Sequence, residues 1–295
     1  MISRRRFLAI SAAALALPAR AEPVRWQGYA MGAEVSLTLE APEAQARAAL
    51  REVQHILREI EALFSLYEPS SRLSQLNATG RLERPAARFT ELLDLCDQAH
   101  RLTNGRFDPT VQPLWQALAQ GKDPDPARRL IGWDRVSIGL QAITLAPGQA
   151  LTLNGIAQGY ATDLVSAALK RAGLPRVLVN IGEFTGWGRD WQVGVADPTH
   201  GLVARQSLNT RALATSSPGA MPLGQNQSHI LDPLGQAPQW STVSVEADTA
   251  SIADALSTAF CHAGRDEIKA TLRATPGHPK ALCVAPSGTL HRFSA

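Results

Sequence analysis

Short alternating segments and amphipathic helical repeats interleave along this chain without a strict strand–helix–strand rhythm. That order restricts the fold more than any single motif does, because a doubly wound parallel sheet needs the regular alternation. Glu34–Leu39 alternates apolar Val35, Leu37 and Leu39 with polar neighbours, the period-2 pattern of a half-buried strand. From Glu43 to about Leu66, residues Leu50, Val53, Leu57, Ile60 and Phe64 recur at spacings of three and four, which predicts one long helix with a single apolar face. A second helix is expected from Thr90, taken as N-cap, to Leu102, with Leu92, Leu93, Leu95 and Ala99 turned inward. Strands follow at Val136–Ile138 and Ala142–Leu145, then a helix from about Gln158 to Ala172 and a strand at Val177–Ile181. The remainder reads as strands near Trp191–Val195, Arg205–Leu208, Ala212–Thr215, Val243–Val245, Ala281–Val284 and Leu290–Phe293, with a helix at Thr249–Ala263. The expected fold class is α+β: one domain built on a mixed or antiparallel sheet with packed helices, over residues 22–295. Gly121–Pro126 and Pro218–Gln227 read as loops inside that domain.

The first 21 residues stand apart. Ser3-Arg4-Arg5-Arg6-Phe7-Leu8 opens an uncharged run ending at Leu17, followed by Pro18 and Ala19-Arg20-Ala21. This is the three-part layout of a cleaved signal peptide, and the paired arginines point to twin-arginine export. The expected location is therefore periplasmic. The apolar run is too short for the roughly 20 residues of a membrane-spanning helix, so no direct membrane span is expected. Four arginines and no acid lie in this segment, so 29 basic residues against 26 acidic become 25 against 26 after cleavage. The pI of 9.0 thus belongs largely to the signal. With no basic stripe elsewhere, nucleic acid is not an expected partner. Cys96, Cys261 and Cys283 have no metal-like spacing and read as small buried hydrophobes, with one disulfide possible in an oxidising compartment.

Four segments carry chemistry. Leu153-Asn154-Gly155-Ile156-Ala157-Gln158-Gly159-Tyr160-Ala161-Thr162-Asp163 is a glycine-bearing turn running straight into a helix, the arrangement whose free N–H groups attract phosphate. A plain helix-entry turn fits this segment equally well. Gly105-Arg106-Phe107-Asp108-Pro109-Thr110-Val111 and Ser228-His229-Ile230-Leu231-Asp232-Pro233 each set a polar tip between apolar neighbours, as ligand-presenting loops do. An Asp-Pro turn starter alone accounts for either one. Asp254 and Thr258, four apart on a helix, put a carboxylate and a hydroxyl on one face, suited to a hard divalent cation. On spacing alone, a solvent-facing polar pair is the commoner reason for that pattern.

Taken in order, these segments join Met31-Gly32, Ser65–Asn77, Val179-Asn180-Ile181-Gly182 and Ala214-Thr215-Ser216 in a chain-long pattern that resembles the FAD:protein FMN transferase (ApbE) family. The resemblance implies transfer of FMN from FAD to a threonine or serine hydroxyl of an acceptor protein, with release of AMP. It implies that Met31 and Tyr67 lie near the flavin, and that Arg106, Phe107 and Asp108 line the FAD pocket. Gly155, Gln158, Gly159, Asp163, Asn180, Ser216 and His229 complete the implied FAD-binding set. Ala157 through its carbonyl, Asp254 and Thr258 are implied to hold Mg²⁺, with Mn²⁺ as a substitute. His229 and Asp254 are the implied catalytic residues, His229 as the base that takes the hydroxyl proton.

Two departures bear on this. Gln158 stands where many relatives carry lysine, and Ser217-Pro218 stands where relatives often have Gly-x-Tyr. The wording of Leu153–Gly159 is similar to members associated with nitrous oxide reductase maturation. The implied acceptor is a membrane-bound electron-transfer protein. FAD hydrolysis to FMN and AMP, and non-catalytic FAD carriage, are the competing readings of the same residues.

Overall fold

A computed structural model describes residues 22–224 and 227–295, so the export segment read at residues 1–21 lies outside it. The chain enters through a hairpin, β1 (Val24–Ala30) and β2 (Ala33–Leu39), and continues through α1 (Glu43–Phe64), α2 (Arg72–Thr79), β3 (Arg81–Glu83) and α3 (Ala87–Leu102). Then come α4 (Gln112–Ala119), α5 (Asp125–Arg128), β4 (Ser137–Ile138), β5 (Ala142–Thr144) and α6 (Ala157–Arg171). Strands β6 (Val177–Asn180), β7 (Phe184–Trp187), β8 (Trp191–Asp197), β9 (Gly201–Leu208) and β10 (Ala212–Ser216) follow. The chain closes with β11 (Pro222–Leu223), β12 (Gln227–Ser228), β13 (Thr242–Ala247), α7 (Ala250–Phe260), α8 (Arg265–Ala274), β14 (Lys280–Val284) and β15 (Leu290–Ser294).

Eight strands form one sheet in the order β1-β2-β6-β7-β10-β13-β14-β15, and every pairing in it is antiparallel. The α+β expectation therefore holds, resolved to an antiparallel sheet. Period-2 alternation gives the sheet two buried faces. Val177 and Val179 of β6 face a core shared with α1, α3 and α6, while Leu178 between them faces the other side. On that other side, Leu178, Phe184, Leu213 and Leu282 meet Trp191, Val193, Val195 and Leu208 of the β8–β9 ribbon. A third cluster gathers α7, α8, β13 and β14 around Phe260, Leu256, Val245 and Cys283. The three cysteines are buried and free, as their apolar surroundings predicted.

The long helix forms because its apolar stripe has a place to go: Ala46, Ala49, Val53, Ile56, Leu57, Ile60, Leu63 and Phe64 are all buried. It ends at Phe64, two residues before the expected Leu66. Helix α3 starts at Ala87, three residues earlier than expected, so Thr90 is not its N-cap. Extended Ala86 precedes it, and Thr90 sits inside the first turn with Oγ1 donating to the Ala87 carbonyl at 2.8 Å. Several elements went unread in the sequence, β1, α2, β3, α4, β7 and α8 among them, and the stretches read as loops at Gly121–Pro126 and Pro218–Gln227 contain the start of α5 and the short strand β11. Among the described residues, no helix is long and apolar enough to cross a membrane.

Candidate active site at the crossing of α6 and α7

Two helices set the site. At Gly159 the α6 backbone passes so close to α7 that an added Cβ would stand 2.3 Å from the Ala250 carbonyl oxygen. The Gly159 N–H donates to Asp254 Oδ2 at 3.1 Å across that contact. One α6 turn later, Asp163 caps α7, accepting from the Ala250 and Ser251 N–H groups at 2.8 and 2.9 Å and from Ser251 Oγ. The capping geometry engages both Asp163 oxygens and fixes where Asp254 falls.

Asp254 is 3% exposed, and burial pushes its carboxyl up to about 7. Glu183, in the turn from β6 to β7, is buried too, and burial followed by the charge of Asp254 pushes its carboxyl well above the ordinary range. Its Oε2 accepts from the Thr215 N–H at 3.2 Å. Among the described residues, no lysine or arginine forms a salt bridge with either acid. Two buried carboxyls lacking a counter-charge are costly unless protonated or met by a cation.

Thr258 lies one helical turn beyond Asp254 and meets the glycine turn, where an added Cβ on Gly155 would stand 2.9 Å from Thr258 Oγ1. Ser216, ending β10, reaches Ser257 Oγ at 2.7 Å and Thr258 Oγ1 at 3.4 Å. Gln158 lies over Gly182, where a Cβ would fall 2.7 Å from Gln158 Cδ; Gly182 adopts φ 88, which suits glycine. Ala157 is the first residue of α6, and Asn180 ends β6 opposite Ser36. Gly155, Ala157, Gln158, Gly159, Ser216, Asp254 and Thr258 thus converge on one crossing.

Met31 and Tyr67 both lie by the C-terminal end of α1. Met31 adopts φ 53 in the β1–β2 turn, and its N–H donates to Glu61 Oε1, in the last turn of α1, at 3.0 Å. Tyr67 follows that helix and is 77% exposed, so a large aromatic face stands free.

The Gly105–Val111 segment folds inward. Phe107 is buried in the main core. Asp108 Oδ1 accepts from the Thr110 N–H at 2.8 Å and Oδ2 from the Trp133 N–H at 3.2 Å. Arg106 spans two acids, Asp232 at 3.2 Å and Glu267 at 2.9 Å. Asp232 belongs to the loop that carries His229, so Arg106 acts as a tether for that loop.

His229 is half-buried, and its Nδ1 lies 3.1 Å from the Met221 carbonyl oxygen. A carbonyl only accepts, so Nδ1 carries the proton and Nε2 keeps its lone pair. Burial lowers the His229 pKa, which favours this neutral form.

Sequence reasoning missed Glu183, Glu61 and Ser257. Glu183 had one available signal, an acid placed directly after Gly182 between two apolar strand segments. No group of three or more His, Cys, Asp or Glu side chains gathers for a metal among the described residues. A cavity of about 590 Å³ beside α2, lined by Asn77, Arg81, Gln116 and Gln149 among others, shares no residue with the crossing.

Comparison with known proteins follows the same lines. The family model described as the ApbE family matches residues 31–283. The FAD:protein FMN transferase of Haemophilus influenzae is 25% identical over 251 residues, covering 73% of this chain and 72% of its own length. That of Vibrio cholerae is 27% identical over 286 residues, covering 86% and 85%. The apo flavinyl transferase ApbE of Pseudomonas stutzeri superposes with a TM-score of 0.81 at 24% identity, over 95% of this chain and 96% of its own. The ApbE protein of Thermotoga maritima gives 0.80 at 24%, over 92% and 97%. At these identities the two structures establish the fold.

Proposed function

The chain belongs to the ApbE family, and on that premise we propose that it transfers FMN from FAD to a threonine or serine hydroxyl of an acceptor protein. The acceptor oxygen attacks the phosphorus on the FMN side of the pyrophosphate, a phosphoester forms, the bridging P–O bond breaks and AMP leaves. The observation that carries this reading is the buried Asp254 carboxyl one turn from Thr258, set against a glycine turn and lacking any basic partner among the described residues.

These residues fit a hard divalent cation. Asp254, Thr258 and the Ala157 carbonyl would hold Mg²⁺ or Mn²⁺, all through oxygen. When bound, such an ion supplies Lewis-acid neutralisation of charge on the pyrophosphate. Gln158 offers no positive charge where many relatives carry lysine, which leaves more of that neutralisation to the ion. Met31 and Tyr67 take the flavin end. Gly155, Gln158, Gly159, Asn180 and Ser216 take the phosphates and ribose, and Arg106, Phe107, Asp108 and Asp163 shape the wall behind them. His229 Nε2 takes the proton of the attacking hydroxyl. Residues 1–21 serve as a twin-arginine export signal, so the acceptor is a periplasm-facing protein, in our reading a membrane-bound electron-transfer protein.

One assay tests this. The mature protein is incubated with FAD, Mg²⁺ and a candidate acceptor domain, and the products are separated. Covalent flavin on the acceptor is expected. Free FMN alone would make the enzyme a FAD hydrolase, and unchanged bound FAD would make it a carrier.

A further inference from the structure

The hydroxyls of Ser257, Ser216 and Thr258 form a chain whose direction is fixed at one end. Ser257 Oγ lies 3.0 Å from the Asp254 carbonyl oxygen, which only accepts, so Ser257 donates its single proton there. The 2.7 Å contact between Ser257 Oγ and Ser216 Oγ then takes its proton from Ser216. With that proton committed, Ser216 Oγ meets Thr258 Oγ1, 3.4 Å away, as an acceptor. Thr258 thus turns its proton back into the chain and its lone pairs outward, on the side where Gly155 approaches. Ser257 is fully buried, so no bulk water competes for its proton.

We propose that Ser216 and Ser257 are positioning residues that hold Thr258 as an acceptor-only oxygen, ready for a divalent cation. The inference rests on the cation site proposed above and deepens it. An oxygen whose proton is directed away suits a hard cation and disfavours a phosphate, which itself needs donors. Ser216 would thus act through Thr258 in addition to any contact with FAD. Breaking the chain at any link frees the Thr258 proton to turn toward the ion.

The test is equilibrium binding of Mn²⁺ to the FAD-free mature protein, read from the electron paramagnetic resonance signal of the free ion. Ser257→Ala is expected to weaken Mn²⁺ binding by about fivefold to tenfold, the scale of one redirected hydrogen bond. Ser216→Ala, which breaks the same chain from the strand side, is expected to do the same and decides the matter if Ser257→Ala does not fold. The double variant is expected to bind no more weakly than either single one, since one broken link already frees the proton. Binding unchanged in both single variants, while Asp254→Asn abolishes it, would overturn the positioning role and leave the cation site standing. Additive losses in the double variant would overturn it as well. Mn²⁺ binding unchanged in Asp254→Asn would remove the cation site and this inference together.

Discussion

Gly159 and Asp254 are joined across the helix crossing by a 3.1 Å hydrogen bond that only a glycine at 159 permits, because a Cβ there would stand 2.3 Å from the Ala250 carbonyl oxygen. The obstruction is backbone, so no rotamer change relieves it; the helices themselves must part. Gly159→Ala is expected to destabilise the protein by about 1–3 kcal/mol, the usual cost of overpacking. It should also weaken Mn²⁺ binding, since Asp254 loses its N–H partner and its place. Denaturant unfolding and Mn²⁺ titration of the same variant check both effects. A variant as stable as the parent would mean that the crossing is looser than it stands here.

Asp254 also makes the metal-free protein sensitive to pH. Its folded carboxyl titrates near 7, against an ordinary value of 3.8, so between those values the folded state holds a proton that the unfolded state has released. Asp254's share of the stability therefore falls as pH rises through that window, by about 1.4 kcal/mol per unit, and levels off above it. Asp254→Asn should make the overall fall shallower without abolishing it, because Glu183, pushed up by burial, still takes a proton on folding; without metal the variant should be more stable than the parent at pH 7.5. Adding Mg²⁺ should stabilise the parent at pH 7.5 and not the variant. Thermal melts of both proteins at pH 5 and 7.5, with and without Mg²⁺, provide the measurement.

His229 has its Nδ1 proton held by the Met221 carbonyl, which leaves Nε2 as the acceptor. His229→Asn is expected to lower kcat by about 10²–10⁴-fold, the range of a lost general base, with the FAD KM little changed. Because burial lowers the His229 pKa, the acid limb of kcat against pH should fall below the ordinary 6.5. An unchanged rate in the variant would take His229 out of the proton transfer.

What was legible in the sequence was local. The shared helix face of Asp254 and Thr258 and the glycine turn before α6 could be placed, since each pattern lies within one short segment, but spacing alone favoured a solvent-facing pair and left the turn undecided; the family pattern supplied their roles. Glu183 could not be read this way: it becomes a partner of Asp254 only when the turn between two strands meets a helix some seventy positions later. Arg106 was read as part of a polar tip and, by resemblance, of the FAD pocket; its ion pairs with Asp232 and Glu267 come from distant segments and could not be read. Among the elements, α8 escaped because Ile268 and Leu272 are its only large buried apolar residues, too few for a periodic signal. β1 escaped because its inward positions carry only Val24 and Trp26 before Gly28, which has no side chain to signal an apolar face, while Tyr29 points outward. For α2 the signals were present, Ser71 as N-cap to the Ser74 N–H and Gly80 in the left-handed region at its end, in a stretch where Ser65–Asn77 entered only as part of the family pattern.

Arg106 offers a sharper test of how the His229 loop is held, because its two acidic partners differ in burial. The Asp232 side chain is 1% exposed, while that of Glu267 is 48% exposed. Removing the arginine therefore strands a buried charge at Asp232 and only loosens an exposed one at Glu267. Arg106→Met is expected to cost about 3–5 kcal/mol, the penalty of an uncompensated buried charge. Glu267→Gln should cost under about 1 kcal/mol, since solvent screens that partner. Pairing Arg106→Met with Asp232→Asn removes the stranded charge, so the double variant should recover part of the stability lost by the first change. The loop carrying His229 is anchored through Asp232, so the double variant should still show a reduced kcat even where its stability recovers. Urea unfolding of the three variants with the transfer assay on the double one separates the two effects: full recovery of both would mean that Arg106 supports the fold and leaves the catalytic loop to hold itself.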